Sequence, residues 1–111
     1  MPYLSLTKDR DFDFIYKKGR GIKGKFLSLR FIFGVEKIAG RCGIVVGTKV
    51  SKKATDRNLL KRRIREIIRK KINLKNKKTA LIVIVFLRAV ETPYSELEKE
   101  LIFLCQKAGI I

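Results

Sequence analysis

The hydrophobic pattern changes period several times along these 111 residues, and each change marks an element. From Thr7 to Lys18, Phe12, Ile15 and Tyr16 recur at helical spacing. Thr7 or Asp9 can cap this first helix, and Gly19 stands where a left-handed residue would end it. Residues 20–25 (RGIKGK) read as a basic, glycine-punctuated loop. From Phe26 to Phe33 the period becomes two: Leu27, Leu29, Phe31 and Phe33 face one side, and Phe26, Ser28, Arg30 and Ile32 face the other. The first side is core. The mixed side, with Ser28 and Arg30, is a surface that something polar can cross. Residues 34–40 supply a turn, after which Arg41–Thr48 reads as the antiparallel partner strand, with Gly43 and Gly47 permitting a bulge or a close backbone approach.

A second helix is expected from Thr55 or Asp56. At about 100° per residue, Leu60, Ile64, Ile67, Ile68 and Lys71 fall in one arc, and Arg57, Asn58, Lys61, Arg62, Arg65 and Arg69 fill the adjoining one. Asn73–Lys78 is a polar turn. Thr79–Leu87 is a continuous apolar run rich in Val and Ile, the pattern of a central strand buried on both faces. Thr92-Pro93 breaks the chain, Ser95 and Glu98 form a capping box, and Leu97, Leu101, Leu104, Cys105 and Ala108 line a last helix with Gly109 just past its end. The order helix, strand, strand, helix, strand, helix predicts an α+β sandwich, one domain over residues 1–111, with a small central sheet covered by helices. The strand-helix-strand passage through residues 41–87 requires a crossover, which by default is right-handed.

Charge adds a partner to this picture. The chain has 27 Lys plus Arg against 10 Asp plus Glu, a net charge of +17, and eleven of the basic residues lie between Lys49 and Lys71, accompanied only by Asp56 and Glu66. Like charges at i, i+4, such as Arg57 with Lys61 and Lys61 with Arg65, each destabilise a helix by a few tenths of a kcal/mol, so their repetition points to a polyanion. Counterion release makes nucleic acid the leading partner, and the mixture of basic and aromatic residues leans toward RNA. A membrane is not expected. The longest apolar run, Ala80 to Leu87, is far short of a span, and Met1-Pro2-Tyr3 begins no signal-peptide pattern, so the chain is expected in the cytoplasm.

The chain is poorly equipped to be an enzyme alone. It has no His, no recognisable phosphate-binding glycine loop and no paired carboxylates in an apolar setting; no small-molecule substrate, catalytic residue or bound metal is expected. Asp9 and Asp13 share a side of the first helix but read as a solvated face. Cys42 and Cys105 read as buried, reduced thiols. On residue pattern alone Phe12 and Tyr16 are core anchors, with base stacking the alternative.

The run Arg57-Asn58-Leu59-Leu60-Lys61-Arg62-Arg63-Ile64-Arg65, preceded by KVSKKAT, resembles the R-N-R-x-K-R-x-x-R signature of the protein subunit of bacterial ribonuclease P. Asp11-Phe12 with Ile15-Tyr16-Lys17 and Gly19, the Phe26 strand, the Cys42-Gly43 to Gly47 strand and Tyr94-Ser95-Glu96-Leu97 match that family in order, so the resemblance covers nearly the whole chain. It implies a ribonucleoprotein whose RNA component carries metal-dependent hydrolysis, with Mg2+ expected there, to remove the 5′ leader of precursor tRNA. By matching position, Lys49, Lys52, Lys53, Arg57, Asn58 and Arg62 would contact the ribonuclease P RNA. Phe12, Tyr16, Lys17, Ser28, Arg30, Lys61 and Arg65 would contact the single-stranded leader of the precursor tRNA in a central cleft, which moves Phe12 and Tyr16 toward base contact. The resemblance also implies a left-handed crossover, as in the second domain of ribosomal protein S5. A general RNA-binding or ribosomal protein without a processing role is the alternative. The chain departs from the family pattern at Leu59 for the motif's second Arg, at Leu29 for a common Tyr, at Lys52 for a glycine, and in lacking the Arg-Pro after the third strand, where Arg88 stands.

Overall fold

A computed structural model describes residues 4–47, 49, 51–75 and 77–111; Thr48, the expected last residue of the second strand, and Asn76, within the expected turn, lie outside the described residues, as do Met1, Pro2 and Tyr3. The elements are β1 (Leu4–Ser5), α1 (Asp9–Lys18), β2 (Arg20–Lys23), β3 (Leu27–Phe33), a 3-10 turn at Glu36–Ile38, β4 (Arg41–Val45), α2 (Ala54–Lys71), β5 (Thr79–Val85), a second 3-10 segment at Leu87–Glu91, and α3 (Tyr94–Ala108). The expected α+β sandwich is present: one mixed five-stranded sheet in the order β1-β4-β5-β3-β2, with α1 on one face and α2 and α3 on the other.

β5 takes the centre because six of its seven residues are buried and only a central strand can hide both faces. Leu81, Val83 and Val85 join Leu27, Leu29 and Phe31 of β3 and Leu60, Ile64, Ile67 and Ile68 of α2 in the larger core. Ala80 and Ile82 meet Ile15 of α1 together with Leu6 and Ile38 in the smaller one. Lys71, placed by angle in the apolar arc of α2, is exposed beyond the last core turn.

Several local expectations are corrected. The stretch expected as a loop contains β2, which pairs antiparallel with β3 from Arg20 opposite Phe31 to Lys23 opposite Ser28. β4 does not pair with β3. β5 lies between them, antiparallel to β3 and parallel to β4, because a strand buried on both faces needs a neighbour on each side. The connection over residues 34–40 therefore arches across the start of β5: Gly34 N–H donates to the Lys78 carbonyl at 3.1 Å and Gly40 N–H to the Thr79 carbonyl at 2.8 Å, both glycines at positive φ.

Gly19 is extended (φ −82°, ψ 179°), since the chain enters β2 directly. It is needed for space instead, as a β-carbon there would lie 2.5 Å from the Phe31 carbonyl oxygen and 2.6 Å from that of Ile15. The residues that precede the three helices, Lys8, Lys53 and Pro93, make no side-chain capping bonds; Ser95 falls inside α3, so no capping box forms. Gly109 does adopt the left-handed conformation that ends α3. Asn73–Lys78 is less polar in effect than in composition, because Leu74 is fully buried in the larger core. Among the described residues no helix is long and apolar enough to cross a membrane.

Candidate nucleic-acid interface

The start of α2 is fastened by side chains rather than by a cap. Ser51 Oγ donates to Asp56 Oδ2 at 3.1 Å and accepts from Lys53 N–H at 3.2 Å, while Arg57 Nη1 donates to the Ser51 carbonyl at 2.7 Å. Arg57 is thereby half-buried, and Lys49, Lys52, Lys53, Asn58 and Arg62 are exposed around it. Asp56 lies where the helix dipole favours a negative charge. At the other end, Glu66 pairs with Arg69 at 2.6 Å and Lys70 at 3.1 Å, and these two partners hold its carboxyl below the usual range. Between those ends, Arg57, Lys61, Arg62, Arg63 and Arg65 form no ion pair among the described residues. The helix thus presents an unneutralised basic middle.

Lys61 and Arg65, one turn apart, border a cleft of about 170 Å³ together with Phe12 of α1 and Gly43 of β4. Its position follows from the strand lengths. β1 pairs with β4 only at Arg41 and Cys42, so from Gly43 onward β4 has no outer neighbour among the described residues, and the cleft opens at that edge. The half-buried Phe12 ring lies directly over Gly43: a β-carbon there would come within 2.6 Å of Phe12 Cζ and 2.7 Å of Cε1. A backbone edge, an aromatic ring and two cations therefore meet at one place. Such a set suits a nucleotide strand, with the ring stacking a base and the cations taking phosphates.

The other expected leader residues lie outside this cleft. Tyr16, 39 % exposed, and Lys17 continue along α1. Burial raises the Tyr16 hydroxyl above its ordinary value, partly offset by Arg30. Ser28 and Arg30 are half-buried and already engaged: Ser28 Oγ donates to the Ile22 carbonyl at 3.3 Å, and Arg30 Nη2 donates to the carbonyls of Tyr16 and Gly19, where its charge complements the C-terminal end of α1. Leu29 is fully buried in the larger core, on the sheet face opposite Ser28 and Arg30, so its departure from a common Tyr falls outside the cleft. Leu59 is 39 % exposed.

Three lining groups were not found from sequence: the Ser5-Leu6 segment, whose short apolar-polar-apolar pattern at Leu4–Leu6 was the available signal, Cys42 and Ile44. Both cysteines are free and buried. Burial pushes the Cys105 thiol up to about 12; Cys42 is also raised, by burial and then by Cys105, against a lowering pull from Arg65. Among the described residues no group of three or more His, Cys, Asp or Glu is placed to hold a metal.

Residues 2–109 match the family model described as Ribonuclease P. The chain belongs to the ribonuclease P protein family. A ribonuclease P protein component from a Pseudanabaena species is 35 % identical over 106 residues, covering 96 % of this chain and 91 % of that protein. One from Thermus scotoductus is 42 % identical over 108 residues, covering 97 % of this chain and 62 % of that protein, so this chain spans somewhat under two-thirds of the longer Thermus relative. Among solved structures, the ribonuclease P protein of Staphylococcus aureus superposes with a TM-score of 0.81 at 26 % identity, covering 96 % of this chain and 95 % of that one. That of Thermotoga maritima gives 0.79 at 30 % identity, covering 93 % and 96 %. Membership in the ribonuclease P protein family makes the chain a subunit of a ribonucleoprotein, with the ribonuclease P RNA as its partner.

Proposed function

We propose that this subunit docks on the ribonuclease P RNA through Lys49, Lys52, Lys53, Arg57, Asn58 and Arg62, and holds the single-stranded 5′ leader of precursor tRNA along α1 and across the cleft beside β4. The observation that carries the reading is the convergence of Phe12, Lys61 and Arg65 on Gly43. Phe12 stacks a leader base there, Lys61 and Arg65 take the adjacent phosphates, and Tyr16 and Lys17 extend the track by one helical turn. Ser28 and Arg30 support the track, Arg30 by anchoring the end of α1.

The protein supplies binding and position. The metal-dependent hydrolysis and its Mg2+ belong to the RNA component. Precursor tRNA is thus the substrate of the assembly, which we place in the cytoplasm. The test is reconstitution of the full chain with a bacterial ribonuclease P RNA at low magnesium. Faster 5′ cleavage than with RNA alone, and tighter binding of precursor tRNA than of leaderless tRNA, are expected. No gain in cleavage, or affinity indifferent to the leader, would overturn the reading.

A further inference from the structure

A second basic and aromatic surface lies away from the cleft. The β2–β3 hairpin and the segment leaving β5 enclose a depression of about 450 Å³ lined by Lys23, Gly24, Lys25, Phe86, Leu87 and Arg88. Three of these side chains are cationic and none is acidic. Leu87 is 64 % exposed, more than any other large apolar side chain among the described residues. Lys23 Nζ stands 5.8 Å from the Phe86 ring centroid, and Lys25 Nζ the same distance from that of Phe26. Each cation–π pair is weak in isolation, and a single exposed leucine is ordinary. Their conjunction is harder to dismiss.

The surface is also rigidly built. The Glu100 carboxylate of α3 accepts from the backbone N–H groups of Lys25, Phe26 and Leu27 at 2.6, 2.7 and 2.9 Å, locking the hairpin. Gly24 leaves room for that carboxylate, since a β-carbon would lie 2.8 Å from Glu100 Cδ. Phe86 N–H donates to the Phe26 carbonyl at 2.9 Å, extending the ladder by one rung, and Thr92 Oγ1 donates to the Arg88 carbonyl at 2.7 Å. Finally, the surface lies at the end of the sheet from which the chain passes from β4 toward α2. The Val45–Ile84 and Leu27–Val85 register brings the end of β4, the end of β5 and the hairpin to one end of the sheet, and α2 packs against the Leu87–Glu91 segment.

We propose that this depression is a further contact for the ribonuclease P RNA. An unpaired base lies against Phe86 and Leu87, and Lys23, Lys25 and Arg88 take the flanking phosphates. The incoming base replaces the Lys23 ammonium over the ring, and the ammonium moves to phosphate. Three cations with no lining acid select a polyanion, the half-buried Phe86 ring and the exposed Leu87 select an unpaired base over a duplex backbone, and a place at the end of the sheet where β4 leads toward α2 selects the RNA subunit over the leader. The inference rests on the function proposed above.

The full chain and its Lys23→Ala/Lys25→Ala/Arg88→Ala and Phe86→Leu variants would be titrated with ribonuclease P RNA across a salt series, with circular dichroism confirming the fold. The triple variant is expected to flatten the slope of log affinity against log salt by about two units. Phe86→Leu, which keeps apolar volume but removes the π face, is expected to weaken binding about fivefold or more at unchanged slope. A parent chain that binds while both variants match it overturns this inference and leaves the function standing. A triple variant with unaltered RNA affinity but weakened hold on precursor leader also overturns it, in favour of the leader. A parent chain that fails to bind the RNA overturns both.

Discussion

Replacing Gly43 by Ala asks whether the Phe12 ring must sit on the sheet to hold a base. The new β-carbon would lie 2.6 Å from Phe12 Cζ and 2.7 Å from Cε1, against a comfortable carbon–carbon separation of about 3.5–4.0 Å, so the ring must withdraw by about 1 Å. It can do so, because Phe12 is half-buried and its neighbour here is the far end of a side chain rather than backbone. Overpacking costs about 1–3 kcal/mol, and the lower unfolded-state entropy of Ala returns about 0.4–1, leaving a net loss of roughly 0–2.6 kcal/mol. Leader binding should suffer more. A misplaced stacking ring forfeits up to the roughly 1–3 kcal/mol of one base stack, a fall in affinity of about 5- to 150-fold.

The assay compares precursor and leaderless tRNA on the reconstituted particle for Gly43→Ala, Phe12→Ala and the double variant, with urea denaturation alongside. Once Phe12 is Ala the added methyl has no ring to displace, so the double variant should lose no more leader affinity than Phe12→Ala alone. Additive losses, or full leader discrimination in Gly43→Ala with the fold intact, would refute the account of the cleft.

Gly19→Ala should behave oppositely: its β-carbon would meet the carbonyl oxygens of Phe31 and Ile15 at 2.5 and 2.6 Å, and backbone cannot swing aside, so a stability loss of about 3 kcal/mol or more by urea titration is expected and tolerance would contradict it. Lys61→Ala should weaken precursor binding and flatten its salt slope by about one unit; an unaltered slope removes Lys61 from the phosphate contacts. The thiols predict a pH effect. An unfolded thiol ionises near pH 8.5 while burial raises both folded ones, Cys105 to about 12, so their contribution is complete below about pH 8.5 and is lost as pH climbs toward the folded values, at about 1.4 kcal/mol per unit for each thiol. With reductant present, the urea midpoint should fall more between pH 8 and 9.5 for the parent than for Cys42→Ala/Cys105→Ala, and an equal fall would refute the burial argument.

Much of the fold was legible because burial imposes period. The α2 arc of Leu60, Ile64, Ile67 and Ile68 and the β3 alternation of Leu27, Leu29 and Phe31 are all buried as their spacing predicts. What was lost was adjacency. Reading β4 as the partner of β3 followed chain order, although the uninterrupted apolar character of Thr79–Val85 already required that strand to have neighbours on both sides. β1 and β2 were missed because two- and four-residue edge strands carry too few alternations to stand out. The caps failed for a different reason: Ser51, Asp56 and Arg57 tie the chain before α2 to its first turn without any side chain capping the helix. At the site, spacing placed Lys61 and Arg65 on one flank. It could not place Phe12 against Gly43, a contact between residues 31 positions apart that only the sheet edge creates.

Charge and fold then explain each other. Four of the ten acidic residues fall within Glu91–Glu100, and one of them, Glu100, is bound to the β2–β3 hairpin, so acid is concentrated at α3 and in the stretch leading to it. On α2, Asp56 is engaged by Ser51 and Glu66 by Arg69 and Lys70, so neither carboxylate pairs with Lys61 or Arg65. A helix selected only for stability would place an acid at i, i+4 from Lys61 or Arg65; here Arg57, Lys61 and Arg65 succeed one another at that spacing instead, each pair at a cost of a few tenths of a kcal/mol. Of these, Lys61 and Arg65 border the stretch of β4 that β1 leaves uncovered among the described residues. The repulsion that weakens the free helix is therefore localised where a phosphate chain can relieve it, which is why binding, rather than folding, accounts for the placement of these side chains.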